Sequence, residues 1–324
     1  MLFYFITSLL ITIIGMKLFI IFLTNTRFLK KKKSIDSSIK KDCIKELHKN
    51  KKNTLTMGGV VMNLVLFIMT IGYYIMTKEF LWLNMMIILY GIMGFVDDYI
   101  KIKKVRDGVT PKEKLLGLTG ISFLVVLLLH LTNTMNTTIR IPFINSGLQL
   151  NIIVYSALIL VILVATTNSF NITDGLDGLA LGIAIIVLAF LGIVAWKVEN
   201  SAILYTILTL AGTCIGTLFY NKHPAKIFIG DTGSLFLGGA IAIIMISLQI
   251  PLWILLILII CLWETITVIL QLTSLRFRNK KVFKIAPYHH HLEKCGWQET
   301  KIVHTFCWIT FICCIIGYLG LGHI

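Results

Sequence analysis

Apolar residues run through this chain in stretches of about twenty, each ended by a short polar segment, and ten such stretches can be marked. They cover roughly 2–24, 57–77, 80–97, 115–134, 150–167, 179–197, 201–220, 233–250, 251–272 and 302–322. About twenty apolar residues in a helix span a bilayer's hydrocarbon core, and a helix satisfies its own backbone there. The pattern therefore predicts an all-α, polytopic membrane protein of about ten transmembrane helices. The eighth and ninth stretches are separated only by the Gln249–Pro251 break, where proline cannot continue the hydrogen-bond ladder.

Composition sharpens this. Of 324 residues, 57% are hydrophobic and 14% charged, a balance that excludes an ordinary soluble domain. The net charge is +15, which in a soluble chain would suggest nucleic acid. Here the distribution gives another cause and excludes a nucleic-acid partner. Twenty-six of the 30 Lys and Arg fall in alternate loops, beginning with the one after the first span. Only Lys78, Arg140 and Lys197 lie in the others, and Lys17 lies inside the first span. Cytoplasmic loops collect Lys and Arg, so the rich side is cytoplasmic and both termini face outward. Such loops also suit anionic membrane lipid. The seven Cys show no metal spacing and read as packing residues or reduced thiols. The first apolar run is long enough to be a retained helix, and residues 1–324 read as a single membrane domain.

The unusual polar residues all fall on the cytoplasmic side. In "GFVDDYIKIKK", Asp97 and Asp98 stand at the end of the third span, about 100° apart on a helix, so only one should face a given site. Acid at a helix C-terminus opposes the helix dipole, which points to a compensating use such as a cation or a proton. In "NSFNITDGLDGLA", Asn168, Asn171, Asp174 and Asp177 recur every three residues, near the spacing that lines up one helix face. Gly175 and Gly178 follow the two acids and permit close backbone approach to a ligand. Hard oxygen donors of this kind suit Mg²⁺ or the polar edges of a nucleotide; a capped helix start is the plainer alternative. In "NKHPAKIFIGDTGSLFLGG", Asp231 precedes the eighth span, where a helix N-terminus favours anions. In "APYHHHLEKCGW", His289, His290 and His291 adjoin Arg276, Arg278, Lys280, Lys281 and Lys284 and read as phosphate donors or proton carriers, with zinc as the alternative. "KKNTLTMGG" places Lys52 and Thr56 before the second span, and Glu264 lies within the ninth, where a carboxylate must face protein or water. Acids, imidazoles and lysines on one membrane face are the equipment of interfacial phosphoryl transfer.

The segments "FVDDYIK", "NSFNITDGLDGLA", "FIGDTGSL" and "PYHHHLE", in this order, resemble the phospho-N-acetylmuramoyl-pentapeptide transferase family, within the polyprenyl-phosphate sugar-1-phosphate transferase superfamily. The likeness runs from about Lys52 to Trp308, and Leu55 stands where the family commonly has proline. It implies transfer from UDP-N-acetylmuramoyl-pentapeptide to undecaprenyl phosphate, yielding lipid I and UMP, with Mg²⁺ as cofactor and the active site at the cytoplasmic face of the cell membrane. It further implies Asp231 as the Mg²⁺ aspartate, helped by Asn168 or Asn171. Asp97 would be the acid that deprotonates the lipid phosphate, with Asp98 beside it. Asp174, Asp177, Asn221 and Phe228 match nucleotide positions, while Lys52, Lys114 and His289 to His291 match phosphate or catalytic ones. Homodimerisation is a further family expectation. The alternatives are a polyprenyl-phosphate N-acetylglucosamine-1-phosphate transferase and, in another class, a membrane transporter.

Overall fold

The computed structural model describes residues 2–25, 54–103, 108–132 and 136–322. Its elements are α1 (Leu2–Asn25), α2 (Gly59–Thr77), α3 (Trp82–Lys103), α4 (Pro111–Leu131), β1 (Thr138–Ile141), β2 (Ile144–Gln149), α5 (Ile152–Thr173), α6 (Leu179–Lys197), α7 (Ser201–Asn221) and α8 (Gly230–Ser247). A 3₁₀ turn at Pro251–Trp253 leads into α9 (Ile254–Ile257) and α10 (Ile259–Arg278), followed by α11 (Tyr288–Lys294) and α12 (Glu299–Leu319). Nine helices among the described residues are long and apolar enough to cross a membrane. The tenth expected span, α3, has the length but not the hydropathy, because Asp97, Asp98, Lys101 and Lys103 lie inside it.

Three boundaries differ from expectation in ways that matter. Helix α3 runs to Lys103 rather than stopping at 97, so Asp97 and Asp98 are interior residues with lysines in the last turn behind them. The argument from an acid at a helix C-terminus therefore does not apply. Helix α5 continues to Thr173, which makes Asn168 and Asn171 helical and leaves Asp174 and Asp177 in the turn beyond. The expected ninth span is a 3₁₀ turn, the single turn of α9, then α10: Pro251 starts a fresh turn because its fixed φ suits a first helical position.

Helix α8 is the axis of the bundle. Every residue from Thr232 to Ile246 is buried, and α3, α5, α2 and α6 pack round it. Small residues let these helices approach closely, the usual means of association where lipid provides no hydrophobic contrast. Two contacts are equally tight: a Cβ on Gly94 of α3 would stand 2.1 Å from the Asp231 carbonyl oxygen, and one on Gly59 of α2 would stand 2.1 Å from Gly233 N. By contrast α1 exposes Leu2, Phe3, Leu10, Leu18 and Phe22, as expected of a face whose solvent is acyl chain. Asn84, buried among the helices, is paired on both sides of its amide: it donates to Thr70 Oγ1 at 2.8 Å and accepts from Thr206 Oγ1 at 2.7 Å.

The hairpin β1–β2, absent from the pattern reading, is antiparallel with Thr138 opposite Gln149. Arg140 N donates to Gln249 O and Phe143 N to Gly320 O, tying the hairpin to the C-terminal ends of α8 and α12. At 1.5 Å per residue, α8 separates that end from Asp231 by roughly 27 Å.

Candidate active site

The polar clusters converge at the N-terminal end of α8. Each arrives by a local device. Thr110 caps α4 in a full capping box with Glu113, and Pro111 occupies the first turn. This sets Lys114 in the first turn of α4, its chain pointing across to α8. Asp97 and Lys101 are one turn apart on α3 and pair at 3.0 Å. Asp231 is the second residue of α8.

These side chains form a closed quartet. Lys114 Nζ donates to Asp231 Oδ2 at 2.6 Å, to Asn171 Oδ1 at 2.6 Å and to Asp97 Oδ2 at 3.3 Å. Lys101 Nζ donates to Asp231 Oδ2 at 2.8 Å and to Asp97 Oδ2 at 3.0 Å. The other oxygen of Asp97 accepts Val109 N at 2.7 Å, which anchors the segment before α4. Asn171 Nδ2 donates to Ser234 Oγ, fixing which way its amide oxygen faces. Lys101, the first lysine after the acid pair in "GFVDDYIKIKK", is thus a full member of the cluster. Its signal was the i,i+4 spacing from Asp97.

Asp98 has a different task from its neighbour, as their divergence on a helix requires. It accepts from Asp231 N at 3.2 Å, Thr232 N at 2.9 Å and Thr232 Oγ1 at 2.6 Å. Helix α8 has no side-chain cap of its own, and Asp98 supplies that cap from another helix, satisfying donors that would otherwise be buried unpaired. Thr56 approaches the same turn: its Oγ1 would lie 3.0 Å from a Cβ on Gly230. The segment containing it is clipped to the strand-like run before α8, with Phe228 N donating to Leu55 O and Gly58 N to Phe228 O. Lys52 lies outside the described residues.

The loop after α5 does not present its acids on one face, because the helix stops at Thr173. Asn168 and Asn171 share the last turns, whereas Asp177 turns away from Asp231. Asp177 Oδ2 accepts Ala225 N at 3.0 Å and stands 3.1 Å from His223 Nδ1, which is 3.3 Å from Glu299 Oε2. Asp177, His223 and Glu299 have donor atoms within 4.8 Å of one another, and they stitch together the loop after α5, the loop after α7 and the start of α12. Asn221 completes the stitch, accepting Gly178 N and donating to Ile227 O. His223 and Glu299 had no sequence signal beyond being polar. Asp174 alone in this loop faces the quartet. Burial, then repulsion by Asp231, Asp98 and Asp177, pushes its carboxyl well above the usual carboxylate range.

The three histidines separate, as consecutive side chains must. His289 is buried, with Nδ1 3.1 Å from Glu264 Oε2. His290 Nδ1 pairs with Glu293 at 2.7 Å. His291 stacks on Tyr288 and accepts Lys284 N. The loop before them is held by Gln271, whose Oε1 accepts Val282 N and Phe283 N.

The glycosyl transferase family 4 model matches residues 80–249, which run from just before α3 to just past α8 and include every acid described at this end except Glu264, Glu293 and Glu299. Relatives extend the likeness further. A phospho-N-acetylmuramoyl-pentapeptide-transferase of Clostridium botulinum (strain Alaska E43 / Type E3) is 44% identical over 278 residues, 85% of this chain and 84% of its own. Proteins of the same name from Clostridium beijerinckii and Acetivibrio thermocellus are 40% and 38% identical, each over 85% of this chain and 84% and 83% of their own lengths. The chain belongs to the phospho-N-acetylmuramoyl-pentapeptide-transferase family. It is accordingly a transferase and a multi-pass protein of a bacterial membrane. Within this family frame, the quartet, the Asp174 loop and the histidine helix are contributed by five separate segments meeting at one end of the bundle.

Proposed function

We propose that this transferase moves phospho-N-acetylmuramoyl-pentapeptide from its UDP carrier to undecaprenyl phosphate, releasing UMP and forming lipid I for peptidoglycan synthesis. The names of the relatives supply the reaction, and the observation that carries it to this chain is the joining of Asp97, Asn171 and Asp231 through Lys101 and Lys114. In the reaction an oxygen of the lipid phosphate bonds to the β-phosphorus, and the bond from that phosphorus to the bridging oxygen breaks. UMP departs with the electron pair. A phosphate monoester is largely ionised near neutral pH, so a general base has little to remove, and direct displacement needs mainly positioning and charge neutralisation. Lys101 and Lys114 supply both, as cations already oriented by carboxylates. Asp97, held by the same lysines, orients them.

The donor set at Asp231 fits Mg²⁺. Its Oδ2 gathers two ammonium groups at 2.6 and 2.8 Å, so this carboxylate stands where positive charge collects. Asp231 would hold the ion, with Asn171 and Asn168 beside it, all hard oxygen donors. When bound, the ion neutralises diphosphate charge. The loop bearing Asp174 and Gly175, with Asn221 and Phe228, forms the nucleotide side. The histidine helix and Thr56 flank the phosphates.

The loop distribution of Lys and Arg supports a cytoplasmic position for this end, where UDP-sugars are found, with both termini outside. A transporter would be expected to carry its acids near the bilayer midplane, whereas these acids gather round the N-terminal end of α8, at one end of the bundle. Homodimerisation belongs to the same reading. The test offers purified protein UDP-N-acetylmuramoyl-pentapeptide and UDP-N-acetylglucosamine separately, with Mg²⁺ and undecaprenyl phosphate. UMP release with the first donor is expected; turnover of the second alone would sink the assignment.

A further inference from the structure

Glu264 is a carboxylate with no exposed surface, in the second turn of α10 directly after the apolar run IICLW. Ionisable groups at such positions are costly and point to a specific partner. Both of its oxygens accept the same backbone donor, His289 N, at 3.1 and 3.3 Å. Helix α11 starts at Tyr288 with Pro287 before it and no side-chain cap of its own, so Glu264 takes that part from across the bundle. The consequence is a fixed position for the His289 ring, which is 1% exposed.

The ring does not point at the quartet. Its Nδ1 faces Glu264 Oε2 at 3.1 Å without the alignment of a hydrogen bond, and neither ring nitrogen has a hydrogen-bond partner among the described residues. Its Nε2 abuts Gly175: a Cβ there would lie 2.2 Å from Nε2 and 2.8 Å from Cε1. Gly175 has no left-handed φ to explain it, so the space taken by His289 is what requires glycine. The residue before it is Asp174, the acid of this loop that faces the quartet.

We propose that Glu264 is a positioning residue that acts through His289, whose ring is a wedge under Gly175 setting the height of the Asp174 loop, so that His289 touches protein and not phosphate. This rests on the transferase reading above and gives the first histidine of the trio a role distinct from phosphate donation. Removing the wedge lets the loop settle, and enlarging Gly175 lifts it. Both changes act on the nucleotide side.

The test is a cycle of Gly175→Ala, His289→Ala and the double variant, with Glu264→Ala and Glu264→Gln alongside, all in the full-length protein in detergent. Gly175→Ala should raise KM for the UDP-sugar about tenfold, more than it lowers kcat, with KM for the lipid phosphate unmoved. The double variant should recover part of that loss, because the ring that clashes with the new methyl is gone. Glu264→Ala should show the same KM-dominated loss, and Glu264→Gln, which keeps a carbonyl acceptor for His289 N, should restore most of it. A double variant worse than either single, or a His289→Ala loss confined to kcat, would overturn the proposal. Melting temperatures of the same cycle give a reading that needs no substrate: Gly175→Ala should lose several degrees and the double variant should regain some. Strictly additive losses would also overturn it. If unmodified protein releases no UMP, the transferase reading fails, and the melting cycle still decides the wedge.

Discussion

Lys114 and Asp231 meet at 2.6 Å although 117 residues separate them in the chain. One stands in the first turn of α4 and the other in the first turn of α8, so their contact locks two helix starts together. Asp231 is also the carboxylate on which Lys101 converges, which makes it the common partner of both cations.

Asp231→Asn should therefore reduce turnover by about a hundredfold or more, the scale of losing one preorganised charge at a phosphoryl-transfer site. Folding should persist, because Asp97 still engages both lysines. Activity together with size-exclusion behaviour checks this, and near-normal turnover would remove Asp231 from the metal and phosphate machinery.

Asp98→Ala should act through stability. Three donors at the start of α8 lose their acceptor, at about 1–3 kcal/mol for a buried group left unpaired. Asp98→Asn keeps one carbonyl oxygen and should retain part of both stability and activity. Equal inactivity of the two variants at unchanged melting temperature would instead make Asp98 a proton carrier.

Asp174→Asn should stabilise the ligand-free protein near neutral pH while impairing turnover. The folded-state carboxyl titrates above its unfolded value near 3.9. Below the unfolded value both states are protonated and there is no penalty. As pH rises from there toward the raised folded value, the unfolded state gives up its proton before the folded state does, so stability falls across that window and levels off above it. The gain in melting temperature should therefore shrink as pH is lowered toward 4, and a gain independent of pH would contradict this origin.

Gly94→Ala should part α3 from α8. The new methyl would overlap the Asp231 carbonyl, and overpacking of this kind costs about 1–3 kcal/mol. Because Asp97 and Lys101 ride on α3, activity should fall further than at a surface alanine substitution of equal thermal cost. The ratio of the two losses is the measurement.

Much of the fold was readable because lipid imposes one rule, about twenty apolar residues per span, and nine helices among the described residues follow it. The site was readable as segments, since acid beside an apolar run has few reasons to be there. What escaped were relationships that sequence spacing does not carry. That Asp97 and Asp98 diverge was legible from helix geometry, but not which of them meets the lysines and which caps α8. The three-residue period through Asn168, Asn171, Asp174 and Asp177 implied one face until α5 stopped at Thr173. His223 and Glu299 acquire meaning only when α7 and α12 bring their ends together, and the β1–β2 hairpin follows from contacts with Gln249 and Gly320 that lie far along the chain.

Counting charges at the start of α8 gives a further result. Asp97, Asp98, Asp174 and Asp231 supply four carboxyl groups, and Lys101 and Lys114 supply two ammoniums. With all four acids ionised, the site is two positive charges short of neutrality, the charge of one divalent ion. Without that ion, a proton on one acid offsets only half of the difference, and Asp174, raised first by burial and then by repulsion from Asp231, Asp98 and Asp177, is an acid that would hold it. A nucleotide diphosphate arriving alone would deepen it, so donor and cation should enter this site as a pair.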